Sequence, residues 1–249
     1  MLRKRVIPVL LMQKKALYKT VRFSAPVYVG DPANAIKIFN EKEVDELIVL
    51  DIQAEKGPDF EYIEQLAGEC FMPLCYGGGV FSLDHIKRLN ELGIEKVAVN
   101  TRAAEDPSFI EAAAANFGSS TIVVSADVKK DFWGKYYVHT HNGKKKTSYK
   151  AEEFAVMMEE KGAGELMLTS VDRDGTGQGY DTDLIAKITS RLSIPVIACG
   201  GASGLADLKK AFESGASAVA AGSLFVFYGK NKAVLINYPS DAEIRSLSA

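Results

Sequence analysis

Two glycine turns, one a copy of the other, carry the plainest chemistry in this chain. CYGGGVFSLDHIKRLNELGIEKVAVNT runs to Thr101, and ACGGASGLADLKKAFESGASAVAAGS runs to Ser223. Gly78 and Gly200, Gly93 and Gly215, and Thr101 and Ser223 are each 122 residues apart. Each copy reads as strand, glycine turn, helix, strand and hydroxyl-bearing turn, an internal repeat that constrains the fold before any single residue does. Glycine lets the backbone approach an anion closely, and the free N–H groups at a helix start face it. One glycine pair at a strand end is an ordinary turn. Two matched pairs, each with a hydroxyl 22 residues after Gly79 or Gly201, point to a small molecule with a phosphate at each end. The candidates are Gly77, Gly78 and Gly79 with Asn100 and Thr101, and Gly200 and Gly201 with Ala221, Gly222 and Ser223.

Carboxylates come next. Asp127 ends the apolar run VVSAD, where it is suited to general acid–base work; the competing reading is a carboxylate that caps a loop. Asp51 ends another run, and Thr169 and Ser170 end a third. The loop SVDRDGTGQGYD, with Asp172, Arg173 and Asp174, is polar and glycine-rich, suited to order over a ligand. At the opposite ends of the runs stand Arg5, Glu46, Lys96 and Glu165. Two cations and two anions in one layer can close a ring of salt bridges, either as structural pairing or as a gate. His85, His139 and His141 form no metal constellation and read as surface residues. Cys70, Cys75 and Cys199 match no disulfide or metal framework and read as reduced thiols of a cytoplasmic chain. No metal or cofactor is expected, and no Ser–His–Asp arrangement has usable spacing.

The elements that must position these residues follow from hydropathy. Strands are expected over Arg5–Met12, Glu46–Ile52, Met72–Gly77, Lys96–Asn100, Thr121–Asp127, Glu165–Val171, Ile194–Cys199 and Ser217–Gly222. Most are continuous apolar runs, as parallel strands covered on both faces require. Helical patterns separate them, with Asp31-Pro32 and Asp106-Pro107 as starts. Eight such units in 249 residues describe an α/β fold, a (β/α)8 barrel spanning residues 1–249 as one domain, in preference to an open doubly wound sheet. The repeat favours two half-barrels. Between Lys129 and Thr147, aromatic and polar residues alternate around Asn142-Gly143, so a hairpin is expected after the fifth strand, with Lys144, Lys145 and Lys146 at a solvated tip.

Composition excludes some classes. Net charge is −2, with no basic face for nucleic acid. The start, MLRKRVIPVLLMQKK, is charged and then apolar, but Pro8 breaks a short run and no cleavage site follows; it reads as a first strand rather than a signal peptide. No run reaches membrane-spanning length.

Together, GGGV with NT, LTSVDRDGTGQGYD, IPVIACGGA and AAGSLF resemble, in order and spacing, the cyclase subunit of imidazole glycerol phosphate synthase, over nearly the whole chain. The resemblance implies a two-fold repeated (β/α)8 barrel of the ribulose-phosphate-binding type, acting as a lyase-type cyclase beside a glutaminase. Ammonia enters the barrel bottom and attacks a bisphosphorylated ribulosyl-formimino nucleotide at the top. Imidazole glycerol phosphate and an aminoimidazole carboxamide ribotide result. By the same resemblance Asp127 is the strand-5 catalytic acid and Lys19 the lysine that reaches the substrate. Gly79, Asn100 and Thr101 bind one phosphate, and Gly201, Gly222 and Ser223 the other. Asp51, Thr169 and Asp174 also match site positions, and Arg5, Glu46, Lys96 and Glu165 match the ammonia gate.

One position departs. The family carries a second catalytic aspartate at the end of strand 1; here VLLMQKK places Leu11 there, where the second half has Asp127. Leucine moves no proton. Cys199 replaces a usual serine, a smaller change. With gate and phosphate turns kept and one acid lost, the chain looks most like paralogues of acetamidino-sugar and surface-polysaccharide pathways. Those are associated with a glutaminase and a separate ATP-dependent amidotransferase. The alternatives are a working histidine-pathway cyclase, a scaffold that binds a bisphosphorylated metabolite without chemistry, and a related isomerase, which needs no gate.

Overall fold

Eight strands close on themselves in a computed structural model that describes residues 4–229 and 231–247. They are β1 (Arg5–Gln13), β2 (Leu47–Asp51), β3 (Leu74–Gly77), β4 (Lys96–Val99), β5 (Ile122–Lys130), β6 (Glu165–Ser170), β7 (Val196–Cys199) and β8 (Ala218–Ala221). Each pairs in parallel with the next, and β8 returns to β1 through Arg5 opposite Ala218, which completes a (β/α)8 barrel. Helices α1 (Pro32–Glu41), α2 (Phe60–Gly68), α3 (Leu83–Glu91), α4 (Ser108–Phe117), α5 (Ala151–Glu160), α6 (Thr182–Thr189), α7 (Leu205–Glu213) and α8 (Asp241–Ser246) follow their strands in turn.

Both faces of each strand are covered, which is why the runs are continuously apolar. Outward residues such as Val6, Leu47, Val97 and Leu166 pack under the helices, while Ile7, Val9, Ile48, Cys75, Ala98, Val123, Met167, Ile197, Ala218 and Ala220 fill the barrel interior. Alternation along a strand then fixes orientation. Starting from Arg5, the inward residues of β1 are Ile7, Val9 and Leu11; those of β5 are Val123, Ser125 and Asp127.

Several boundaries move from expectation. Glu46, Ile52, Met72, Asn100, Val171 and Ile194 fall outside their strands, because only the central residues of each run pair on both sides. β5 instead runs on to Lys130, since Asp127–Lys130 gain a second partner in Tyr136–Thr140. That segment pairs with Lys145–Lys150, so the expected hairpin is one arm of a three-stranded meander, and Lys144, Lys145 and Lys146 are exposed at its tip. Asp31 caps α1 as expected, its carboxylate accepting from the Asn34 N–H at 2.9 Å. Asp106 also serves the start of its helix: α4 begins at Ser108 after Pro107, the Asp106 carboxylate accepts from the Ser108 hydroxyl at 2.5 Å and from the Ser108 and Phe109 N–H groups, and it pairs with Arg102 at 2.6 Å.

A second hairpin was not legible. β1 turns at Lys14 and Lys15, both with positive φ, into Ala16–Val21, which pairs back on β1 and with Ser24–Gly30. Two lysines at a left-handed turn give none of the Asn-Gly signal that marked the other hairpin. Met1, Leu2 and Arg3, the start of the charged N-terminal stretch, lie outside the described residues. Among the described residues no helix is long and apolar enough to cross a membrane.

Candidate functional site

The strand C-termini carry a buried polar group in which apolar walls set the charge states. Asp127, at the inward end of β5, is only 9% exposed. Burial pushes its carboxyl up to about 7; the neighbouring Asp174 adds to the rise and Lys129 opposes it. Lys19 comes from the unpredicted hairpin, is buried, and donates to the Val9 carbonyl. Burial brings its ammonium down to about 8 against the pull of Asp174. Asp174 itself is raised by burial, opposed by Lys19 and by the Thr20 hydroxyl, which donates to it at 3.4 Å. Thr169 stands beside Asp127 on one side and Cys199 on the other in register. Burial pushes the Cys199 thiol up to about 12, so it stays protonated at neutral pH.

Leu11 faces this group from the other half of the barrel. It sits beside Leu50 in the β1–β2 register, and both pack on the interior cluster. The inward ends of β5 and β6 are therefore polar, with Asp127 and Thr169, and those of β1 and β2 are apolar, with Leu11 and Leu50.

The glycine turns lie at the same end. Gly78 has φ +119°, and a Cβ there would stand 2.2 Å from the Asp51 carbonyl; Gly79, at φ +67°, would meet the Ala54 carbonyl at 2.3 Å. Both neighbours are backbone and cannot give way. Thr101 and Ser223 each open a short helix, Thr101–Glu105 and Ser223–Val226. Asn100 is fixed by a 2.8 Å bond from its amide to the Ser125 carbonyl, and Thr101 hydrogen-bonds the Asn100 side chain at 3.3 Å. Asp51, at the end of β2, accepts the Gln53 N–H at 2.9 Å, within its own loop.

Gly222 is where the two features meet. A Cβ on it would lie 2.2 Å from Lys19 Nζ, so the lysine rests directly on the turn that opens the Ser223–Val226 helix. Unlike a carbonyl, a lysine end can move. Gly222→Ala is therefore expected to expel the ammonium while the barrel stays folded, at an overpacking cost of about 1–3 kcal/mol. Acetic anhydride labelling read by mass spectrometry checks this: Lys19 is slow in the parent protein and fast in the variant.

At the strand N-termini the four charged residues close a ring. Arg5 reaches Glu46 at 2.5 Å and Glu165 at 2.9 Å; Lys96 reaches Glu46 at 2.9 Å and Glu165 at 3.3 Å. Alternating signs let each charge touch two opposite ones, which offsets the desolvation of a half-buried layer. Glu46 is the deepest, its side chain 3% exposed, and its Oε1 is buried without a hydrogen-bond partner among the described residues. Cys75 lies in the interior cluster beside the ring, its thiol raised mainly by burial.

Two of the histidines differ from a surface role: His139 is half-buried with Nδ1 3.0 Å from the Tyr137 carbonyl, and His85 sits in a comparable setting. His85 is half-buried, with Nδ1 3.2 Å from the Gly79 carbonyl. His139 lies on the meander strand, and His141 falls in the turn beyond it, so the two do not share a strand face. Among the described residues no three His, Cys, Asp or Glu side chains are placed to hold a metal ion.

Duplicated glycine turns, duplicated short helices and a closed eight-stranded barrel define a (β/α)8 protein built from two similar halves. The chain belongs to the histidine biosynthesis protein family, whose model matches residues 5–232. It is 53% identical, over 96% of its length and 97% of the relative's, to a Pseudomonas aeruginosa protein named "Putative imidazole glycerol phosphate synthase subunit hisF2". A Vibrio vulnificus protein named "Putative imidazole glycerol phosphate synthase subunit hisF3" is 48% identical over 98% of this chain and 95% of its own. Imidazole glycerol phosphate synthase subunit HisF of Chlorobium luteolum is 41% identical over 91% of this chain and 92% of its own.

Proposed function

We propose that this chain is the barrel subunit of a glutamine amidotransferase complex. It takes ammonia from a glutaminase seated on the Arg5–Glu46–Lys96–Glu165 face and releases it at the opposite mouth. There a separate ATP-dependent enzyme uses it to form an amidine (acetamidino) sugar for surface polysaccharide. The complex works in the cytoplasm, in keeping with three unpaired thiols.

The observation that carries this reading is Leu11. Ring closure of the bisphosphorylated nucleotide calls for proton transfer from both halves of the mouth, and general acid–base groups contribute about 10²–10⁴ in rate each. Leu11 and its neighbour Leu50 leave the inward ends of β1 and β2 without the carboxylate that β5 has in Asp127. Between the ring and the polar mouth, Ile7, Ile48, Val123, Met167 and Ile197 form an apolar layer, which suits a neutral ammonia molecule and disfavours its charged form. The ring at the entrance supplies the charged layer that a gate needs.

The second reading is the cyclase of histidine biosynthesis. It is favoured by Asp127, held near 7 where it both gives and takes protons at neutral pH, and by two intact glycine turns for a bisphosphorylated substrate.

Steady-state turnover of the histidine-pathway nucleotide, with saturating ammonium and no partner, separates the two. Negligible turnover, with tight binding of a glutaminase, is the expected result. Turnover comparable to that of a family cyclase sinks the polysaccharide reading and shows that one aspartate suffices.

A further inference from the structure

The two halves fasten their glycine turns differently. In the second half the Gly201 carbonyl accepts the Gly179 backbone N–H at 2.8 Å. Gly57 is the matching residue of the first half, 122 positions earlier, and the helix caps that follow, Asp59 and Asp181, keep the same spacing. Yet Gly57 gives its N–H to the Ala54 carbonyl at 3.2 Å, not to Gly79. The Gly79 carbonyl is served by the His85 ring instead, at 3.2 Å from Nδ1. A carbonyl only accepts, so Nδ1 carries the proton. Asp207 holds the position of His85 in the second half, and its carboxylate turns to the Ser203 N–H and hydroxyl, at 2.9 and 2.6 Å.

The His85 ring is held for this task. Its backbone N–H donates to the Ser82 hydroxyl that caps α3. Phe60 and Phe81 meet it edge-on, with ring centres 5.8 and 4.4 Å away. A Cβ on Gly57 would touch its Cε1 at 3.1 Å. The ring thus ties the Gly78–Gly79 turn to α3 and closes against the loop after β2. In a trans peptide the C=O and the following N–H point in opposite directions. Holding the Gly79 carbonyl against His85 therefore aims the Val80 N–H away from the imidazole.

We propose that His85 is the positioning residue of the first phosphate turn, acting through the Gly79 carbonyl to fix the Gly79–Val80 peptide for an anionic oxygen. The inference rests on the reading of both glycine turns as phosphate sites. It adds that the two sites are not equivalent: one is fastened by backbone alone, the other by a side chain that a single substitution removes.

Amide NMR with inorganic phosphate as the probe resolves the two sites. Shifts of Gly79 and Val80 report one turn, and those of Gly201 and Ala202 the other. His85→Phe keeps the aromatic packing and loses the donor; His85→Asn keeps a donor near the Nδ1 position. Loss of one such hydrogen bond is expected to weaken the first site about 5- to 10-fold in His85→Phe. In the same variant the second site is unchanged, which also shows that the barrel is folded. His85→Asn is expected to return the first site to within about 2-fold. Equal affinity of the first site in the parent and in His85→Phe overturns the assignment while leaving the phosphate reading in place. An equal loss in His85→Asn shows that the ring acts by packing alone and overturns it too. Absence of any shift at Gly79 and Gly201 in the parent removes the phosphate reading and this inference with it.

Discussion

Leu11→Asp is expected to raise ammonia-dependent turnover of the bisphosphorylated nucleotide by about 10²–10⁴, the usual contribution of one general acid–base group. The new carboxylate stands where Asp127 stands in the other half, at the inward end of its strand. It replaces a side chain packed against Leu50 and the barrel interior. An acid placed there is partly desolvated, so its pKa rises, in the same direction as burial raises that of Asp127. The gain is therefore expected to appear as a pH profile with a new ionisation above the ordinary aspartate range. Stability falls at the same time, by about 1–3 kcal/mol, because a carboxyl enters an apolar wall without a prepared partner. Initial rates from pH 5 to 9, with the melting temperature at each pH, check both parts. Unchanged turnover in a folded variant means that the mouth has diverged beyond one position, since the glycine turns and Asp127 are already present.

What made the site legible was repetition and the end of each strand. Continuous apolar runs located the eight strands, and in a barrel a strand's first and last inward residues fall at opposite mouths. That logic, applied to Arg5, Glu46, Lys96 and Glu165, placed four charges in one layer, and the structure joins them in a ring. It also marked Leu11 as the counterpart of Asp127. The fastening of the site was less legible. Lys19 is buried because an unsignalled hairpin folds it over Gly222; nothing in LYKT shows that its ammonium ends on the Val9 carbonyl. His85 read as a surface residue because its contact is with a backbone carbonyl and two phenylalanines, not with metal-ligating side chains. Asp51 was legible by its place at a strand end, but its hold on the Gln53 N–H, two residues on, was not. The spacing within the repeat holds the clue to His85: Gly57 and Gly179 match, while His85 and Asp207 do not.

The walls that prepare Asp127 also make it a cost to the fold, and Asp127→Asn is expected to show both. In the unfolded chain this carboxyl ionises near 3.8, and in the native barrel near 7. A raised native pKa means that the folded state holds its proton longer. The contribution of the group to stability is complete below pH 3.8 and is lost as pH rises through 7. Across that window the loss is roughly 4 kcal/mol at 1.36 kcal/mol per unit. Lys19 works from the alkaline side: its ammonium is brought down to about 8, so it weakens the fold as pH falls through the range from 10.5 to 8. Between these windows, near neutral pH, both groups sit at their least comfortable, and both face Asp174. Asparagine at 127 removes the ionisation and keeps the shape. The variant is expected to melt about 10 °C higher than the parent at pH 8, at 2–4 °C per kcal/mol for a chain of this size. At pH 4 the two melt within a few degrees. Any remaining proton-transfer chemistry at the mouth is expected to vanish, since the amide neither gives nor takes a proton at neutral pH. Thermal melts at the two pH values decide the case. A difference that is the same at both shows that packing, not ionisation, sets the strain at Asp127. A difference that grows with pH shows that this mouth holds a carboxyl poised for proton transfer at the expense of the fold, in a barrel that carries Leu11 at the matching position of its other half.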